Sequence, residues 1–330
     1  MKTIKQIPPV VLVSCLVFSA AASGEPAAAQ HRHRAGPAVR SKAKPAPAPI
    51  DEDALRTQVM LDRAGYSPGE IDATMGTSTK RALEALTKDG GKADAAPDAL
   101  TTYRITEQDT AGPFTSQIPS DMMRMAQLPA LNYRNALEAL GERFHTSPSL
   151  LRRLNPNARF VAGEEIQVPN VSHETAPAAA PSGRQNYALN PAGTTMTVTV
   201  RKSTSDLTVT DDTGRRLMYA PVTTGSEHDP LPIGEWKVKG VQRNPEFHYN
   251  PALFWDAKSN QSKATIPSGP NNPVGVVWID LTREHYGLHG TPEPSQIGKT
   301  TSHGCVRLTN WDAMKLASLV RPGTKVVFSE

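Results

Sequence analysis

Hydrophobic positions change period along this chain. From Asp51 to Thr87 the spacing is helical: Leu55, Val59 and Leu61 gather near one face, and Ala64-Gly65-Tyr66-Ser67-Pro68-Gly69 interrupts them. A second helix carries Ala82, Leu83 and Leu86 on one side, with Thr77 or Ser78 as its cap and Gly90-Gly91 as its stop. Residues 92–130 read as an irregular connector, in which Met122, Met123 and Met125 are adaptable packing rather than a cofactor site. Helical text returns around Ala136 to Phe144 and through Leu150 to Leu154. Asn155-Pro156 ends it, and Gly163 to Pro169 follows as a short strand. A Pro/Ala-rich linker comes next.

Beyond the linker the period becomes two. Runs such as Thr194 to Val200, Leu207 to Thr210, Leu217 to Val222, Trp236 to Lys239 and Val274 to Ile279 are separated by Gly, Pro, Asn and Asp turns, which predicts a mostly-β sandwich or barrel. One helix stands out near the end. Thr309 and Asp312 resemble a capping box leading into Ala313 to Val320, Arg321-Pro322-Gly323 stops the helix, and Lys325 to Phe328 is a final strand.

The first 24 residues have Lys2 and Lys5, an apolar centre and small closing residues, the layout of a cleaved secretory signal. Leu12-Val13-Ser14-Cys15 also resembles a lipobox, a reading that makes Cys15 a lipidated N-terminus. The apolar run from Val10 to Phe18 falls short of the roughly 20 residues a membrane-spanning helix needs. The segments are therefore 1–24 signal peptide, 25–50 basic tether, 51–91 helical module, 92–130 connector, 131–171 second module, 172–188 linker and 189–330 β-rich domain. The expected location is exported, in the periplasm or cell wall.

The formal charge of the 330-residue chain, +4, shrinks on inspection. Residues 1–24 hold two lysines and no acid, and residues 25–49 hold five cations against one acid, so 29 basic residues face 31 acidic ones from Ile50 onward. A nucleic-acid binder normally carries its basicity on a folded face, whereas here it sits in a Pro/Ala tail. No nucleic-acid partner and no transmembrane span are expected.

The chain has two cysteines. With Cys15 in the signal, an exported chain keeps one thiol, Cys305, and exported proteins usually pair their cysteines or lack them. A leftover cysteine is an inert filler, an intermolecular bridge or a nucleophile. Its neighbours favour the last. The text runs Tyr286-Gly287-Leu288-His289-Gly290-Thr291 and then Ser302-His303-Gly304-Cys305-Val306-Arg307. A thiol attacks as thiolate, which calls for a nearby base, and His289 and His303 are candidates. Gly304 leaves the backbone before Cys305 open, so amides there can face an oxyanion. Zinc on His285, His289, His303 and Cys305 is disfavoured because the spacing matches no known zinc pattern and a second thiolate is absent. No metal or organic cofactor is implied.

These residues resemble the signature of the L,D-transpeptidase family with the YkuD-type catalytic domain, and Thr224-Gly225 and Pro232 to Trp236 match its earlier strands and turns. The resemblance covers roughly residues 190 to 330. It implies Cys305 as nucleophile, His289 as general base, the Gly290 carbonyl as the group orienting the imidazole, and amides of His303, Gly304 and Cys305 as an oxyanion hole. Ser302 and Arg307 match positions lining the substrate pocket. The implied reaction joins peptidoglycan stem peptides by a 3→3 cross-link through a thioester. A carboxypeptidase or hydrolase on the same two residues, and a non-catalytic wall-binding protein, remain as alternatives. Leu55 to Leu83, with Gly65-Tyr66-Ser67 and Glu70-Ile71-Asp72, is similar to a small helical peptidoglycan-binding module. Leu140, Phe144, Leu151, Asn155, Gly163, Ile166, Val168 and Pro169 resemble a LysM module, a βααβ glycan binder.

Overall fold

A computed structural model describes residues 49–94, 96–171 and 195–330. The signal segment with Cys15, nearly all of the tether and the linker lie outside the described residues. Among those described, no helix is long and apolar enough to cross a membrane.

The N-terminal half begins with two amphipathic helices, α1 (Glu52–Arg63) and α2 (Thr77–Lys88). Asp51 caps α1 by accepting from the Ala54 amide, and Glu52 and Asp53 place negative charge where the helix dipole is positive. Neither Thr77 nor Ser78 caps α2; Gly76 holds the cap position without a side-chain bond, so the helix starts one residue earlier than a Thr77 cap requires and two earlier than a Ser78 cap.

The expected irregular connector is corrected. It contains strand β1 (Leu100–Arg104) and the one-turn helices α3 (Glu107–Thr110) and α4 (Met122–Met125). After α5 (Ala136–Arg143) and α6 (Pro148–Leu154), strand β2 (Glu165–Pro169) pairs antiparallel with β1, Leu100 opposite Pro169. The signal for β1 is weak because five residues rich in threonine bury little, and its partner lies some sixty residues away. Ile105, Leu137, Leu140, Phe144, Leu151, Ile166 and Val168 form the core of this β-α-α-β unit. It does not stand apart from the first helices, since Leu55 and Val59 of α1 share a second core with Leu150 of α6.

The C-terminal half is built on strands β3 (Thr197–Arg201), β4 (Asp206–Thr210), β5 (Arg216–Pro221), β6 (Gly234–Arg243), β7 (Phe247–Tyr249), β8 (Ala264–Ile266), β9 (Val277–Leu281), β10 (Gly287–His289), β11 (Val306–Arg307) and β12 (Lys325–Ser329). Eight form one mixed sheet in the order β11-β10-β9-β6-β12-β3-β4-β5, and β7 and β8 make a separate hairpin. The sandwich expectation is corrected to a single curled sheet whose ends meet. Just past β5, the Thr223 amide donates to the Arg307 carbonyl at 3.0 Å and Arg307 returns the bond at 2.9 Å. Register irregularities at Val209/Thr210 and Val238/Gly240 supply the extra twist such curling needs. Helix α7 (Asn310–Leu319) packs Ala313, Leu316 and Ala317 into the core lined by Val198, Leu207, Ile279, Leu288 and Phe328. Closing the sheet satisfies edge strands that otherwise offer unpaired amides. The loop leading into β11 lies at this seam.

Candidate active site

Strands β10 and β11 run parallel, with His289 opposite Arg307. This pairing brings two segments well separated in sequence side by side, placing His289 at the end of one strand and Cys305 immediately before the other. His289 is buried, 5% exposed, and its ring stacks on Trp278 of β9 at 5.5 Å with planes 22° apart. Its Nδ1 lies 2.7 Å from the Gly290 carbonyl oxygen. A carbonyl only accepts, so Nδ1 carries the hydrogen and Nε2 of the neutral ring is left as the basic atom. Burial, then the Arg307 cation, push the imidazole down to about 4, with the Gly290 carbonyl opposing. The ring is therefore neutral at ordinary pH.

Cys305 is half-buried and free. Its thiol donates to the His285 carbonyl at 3.7 Å and accepts from the Gly287 amide. Burial pushes the thiol up, while the Gly287 amide and the Arg307 charge pull it down. Both members thus start neutral. His285 adopts a positive φ of 65°, a conformation few non-glycine residues occupy, and this bend aims the 285–287 backbone at the sulfur. Arg307 is held in the same field by Cys305 and Glu293, and burial lowers its own basicity.

The loop before Cys305 is pinned from several sides. The Ser302 hydroxyl donates to the Cys305 carbonyl at 2.6 Å, and the Ser302 amide donates to the Thr224 carbonyl at 2.9 Å. Ser302 is 3% exposed, so its hydroxyl is spent on the loop itself. Gly304 has φ +101° and its Cα faces Tyr286, where a Cβ would lie 2.7 Å from the ring. His303 points away from the thiol region and pairs with Asp256 at 2.9 Å, with its ring edge against Phe254 at 4.9 Å. These two partners sit between β7 and β8. Trp255 beside them is 61% exposed and stacks on His228 at 4.5 Å, so His228 has a partner that sequence does not announce.

Of the residues singled out in sequence, His289 and Cys305 both lie in the field of Arg307, His289 is bonded to the Gly290 carbonyl, and Gly304 directly precedes Cys305. The His303 imidazole serves the hairpin, leaving its backbone amide as its candidate contribution. Sequence reading missed Asp256 and Asn310, named His285 only in the disfavoured zinc set, and quoted Tyr286 beside the His-Gly motif without a role. Among the described residues, no group of three or more His, Cys, Asp or Glu side chains is arranged to hold a metal ion.

With this geometry in hand, comparison with known proteins is informative. The family model for the L,D-transpeptidase catalytic domain, YkuD, matches residues 195–328. The Bacillus subtilis protein YkuD is 27% identical over 198 residues, 59% of this chain and 94% of its own. The Bacillus subtilis protein YqjB is 31% identical over 139 residues, 40% of this chain and 70% of its own. Both are named as L,D-transpeptidases. A solved structure of L,D-transpeptidase 3 from Mycobacterium tuberculosis aligns with TM-score 0.35 and 19% identity, over 42% of this chain and 61% of that one, a likeness too slight to carry an argument. The chain belongs to the L,D-transpeptidase family.

Proposed function

We propose that the protein is an exported peptidoglycan L,D-transpeptidase that forms 3→3 cross-links through a thioester on Cys305. What supports this reading is that Arg307 acts on both a thiol beside the 285–287 backbone and an imidazole locked by Gly290, in a chain of this family.

Because thiol and imidazole both begin neutral, His289 acts as a general base at the moment of attack rather than as half of a standing ion pair. Its Nε2 takes the thiol proton as sulfur attacks the carbonyl at the L-centre of the third stem residue. The C–S bond forms, and the oxyanion is met by the amides of His303, Gly304 and Cys305. The peptide C–N bond then breaks and the proton passes to the departing D-alanine amine. In the second half an amine of a neighbouring stem loses a proton to His289, attacks the thioester and releases the thiol. Arg307 holds the site electropositive, which favours both the thiolate and a carboxylate-bearing stem.

The N-terminal units are proposed as wall-binding modules, peptidoglycan-binding-like over 51–91 and, with strand β1 included in place of the expected start at 131, LysM-like over 100–171. For the second, support comes from an open groove of about 430 Å³ lined by Arg104 to Glu107 and by Ala162 and Gly163, at one end of the β-α-α-β unit. Lipidation at Cys15 is the lesser alternative to cleavage of the 1–24 signal, which would remove that cysteine.

The test incubates purified disaccharide-tetrapeptide with the protein and with Cys305→Ala. Cross-linked dimers with released D-alanine, absent in the variant, support the transpeptidase. Tripeptide alone identifies a carboxypeptidase on the same thiol. No Cys305-dependent product, with glycan retained, favours a wall-binding protein.

A further inference from the structure

Gly290 supplies the carbonyl that orients His289, and what fixes Gly290 lies outside the motif. A Cβ built on Gly290 would lie 2.2 Å from Asn310 Oδ1, and one built on Gly275 would lie 2.0 Å from the same atom. The Asn310 amide therefore lies where a side chain on either glycine would have to go. Asn310 is the first residue of α7 and 1% exposed. Its Oδ1 accepts from the Val276 amide at 3.1 Å, and its Nδ2 donates to the Pro270 carbonyl at 3.2 Å. One side chain thus clamps the segment 270–276 to Gly290, whose own amide donates to Val277 at 3.2 Å.

From the N-terminal half, the Glu142 carboxyl at the end of α5 faces Asn310 and the Tyr133 hydroxyl. The neighbouring turns of α7 are braced from the same direction. Ser67 donates to Asp312 at 2.8 Å, and the His145 ring lies parallel to Trp311 at 5.2 Å. Three residues from outside the catalytic fold therefore bear on the first turn of the helix that starts at Asn310.

We propose that Asn310 is a positioning residue for His289, acting through the Gly290 carbonyl, and that Glu142 of the N-terminal half is the brace that keeps Asn310 in place. The inference rests on the His289 role given above. It makes the N-terminal half part of the catalytic centre's support as well as a wall-binding attachment.

Burial pushes the Glu142 carboxyl up to about 8, so it is neutral where the enzyme is expected to work. Around it stand Glu138 and His145 on or beside α5, Tyr133 before the helix, and Asn310 from α7. Asp62 of α1 pairs with His145 at 2.9 Å, Asp312 bears on the same ring, and Arg134 pairs with Glu138. Ionisation above pH 8 places a desolvated charge among these acids and loosens the brace.

The experiment measures the rate of Cys305 alkylation by iodoacetamide against pH on the full chain, by intact mass. The reaction needs His289 to relieve the thiol of its proton but needs no peptidoglycan, so failure of the transpeptidase reading appears separately, as absence of product from the wild type. Expected is a fall of about tenfold or more for Asn310→Ala, with an altered pH profile and a near-normal melting temperature. Glu142→Ala is expected to fall several-fold, whereas Glu142→Gln stays within about twofold of wild type and keeps its rate above pH 8. A folded Asn310→Ala with the wild-type pH profile overturns the proposal. If Asn310→Ala does not fold, the Glu142 pair decides: Ala and Gln variants alike in rate and pH profile overturn it, and rescue by Gln upholds it.

Discussion

Ser302 donates its hydroxyl to the Cys305 carbonyl at 2.6 Å, closing a three-residue loop on itself directly before the nucleophile. The bond rigidifies the backbone whose amides are proposed to meet the developing oxyanion. A neutral hydrogen bond of this kind contributes about 0.5–1.5 kcal/mol, and about 1.4 kcal/mol corresponds to tenfold in rate. Ser302→Ala is expected to lower turnover by up to about tenfold with KM little changed, and Ser302→Thr to restore it. Steady-state kinetics beside a melting curve check this.

Gly304 is closed to substitution both by its backbone and by its neighbour. Its φ of +101° is strained for any L side chain, and a Cβ there meets the Tyr286 ring at 2.7 Å. Gly304→Ala is expected to cost about 1–3 kcal/mol in backbone strain alone and to reduce activity by two orders of magnitude or more. Adding Tyr286→Ala relieves the clash and leaves the strain, so the double variant recovers only part of the rate. A full recovery in the double variant contradicts this account.

The imidazole sets the acid limb. Since His289 is held down at about 4, the rate stays level as pH falls toward 5 and drops only as pH passes through about 4. Arg307→Gln removes the cation that lowers the imidazole and also stabilises the thiolate, so the acid limb moves up while the alkaline requirement for the thiol moves up too. For stability the sign runs the other way from a paired histidine. Between about 4 and the unfolded value near 6.5 the unfolded chain binds the proton and the native chain does not, so this group makes stability rise with pH across that window. Chemical denaturation of wild type and His289→Asn at pH 4.5 and 7 reads the difference directly.

Asp256 ties the β7-β8 hairpin to His303 across a solvent-exposed gap, and such pairs are worth at most about 1 kcal/mol. Met122, Met123 and Met125 pack against the same hairpin through Tyr249 and Ile266, and this apolar contact carries most of its attachment. Asp256→Asn is therefore expected to change kcat/KM by less than about fivefold. Replacing Met122 and Met125 with Ser together frees the hairpin, read as faster amide exchange over residues 247–266.

Much of this was legible in sequence where local rules apply. The helical faces of α1 and α5, the Thr309 cap of α7 and the alternation of β3 and β12 follow from spacing alone. The His-Gly and Ser-His-Gly-Cys motifs singled out His289 and Cys305 because their text resembles the family signature. What escaped is non-local. Strand β1 depends on a distant partner, and closure of the sheet at Thr223 and Arg307 depends on accumulated twist. Asn310 read as an ordinary first-turn residue because its role comes from two glycines and one glutamate brought to it by folding. His303 looked like a partner of the thiol, and its ring instead found Asp256 in a hairpin whose strands are three residues each.

The most direct test of the central claim is the mass of the intact protein after brief exposure to a disaccharide-tetrapeptide. The account predicts an adduct equal to the stem less its terminal D-alanine, located on Cys305 by peptide mapping, lost in Cys305→Ala and formed far more slowly in His289→Asn. An adduct on another residue, or turnover of the peptide that survives in Cys305→Ala, contradicts it.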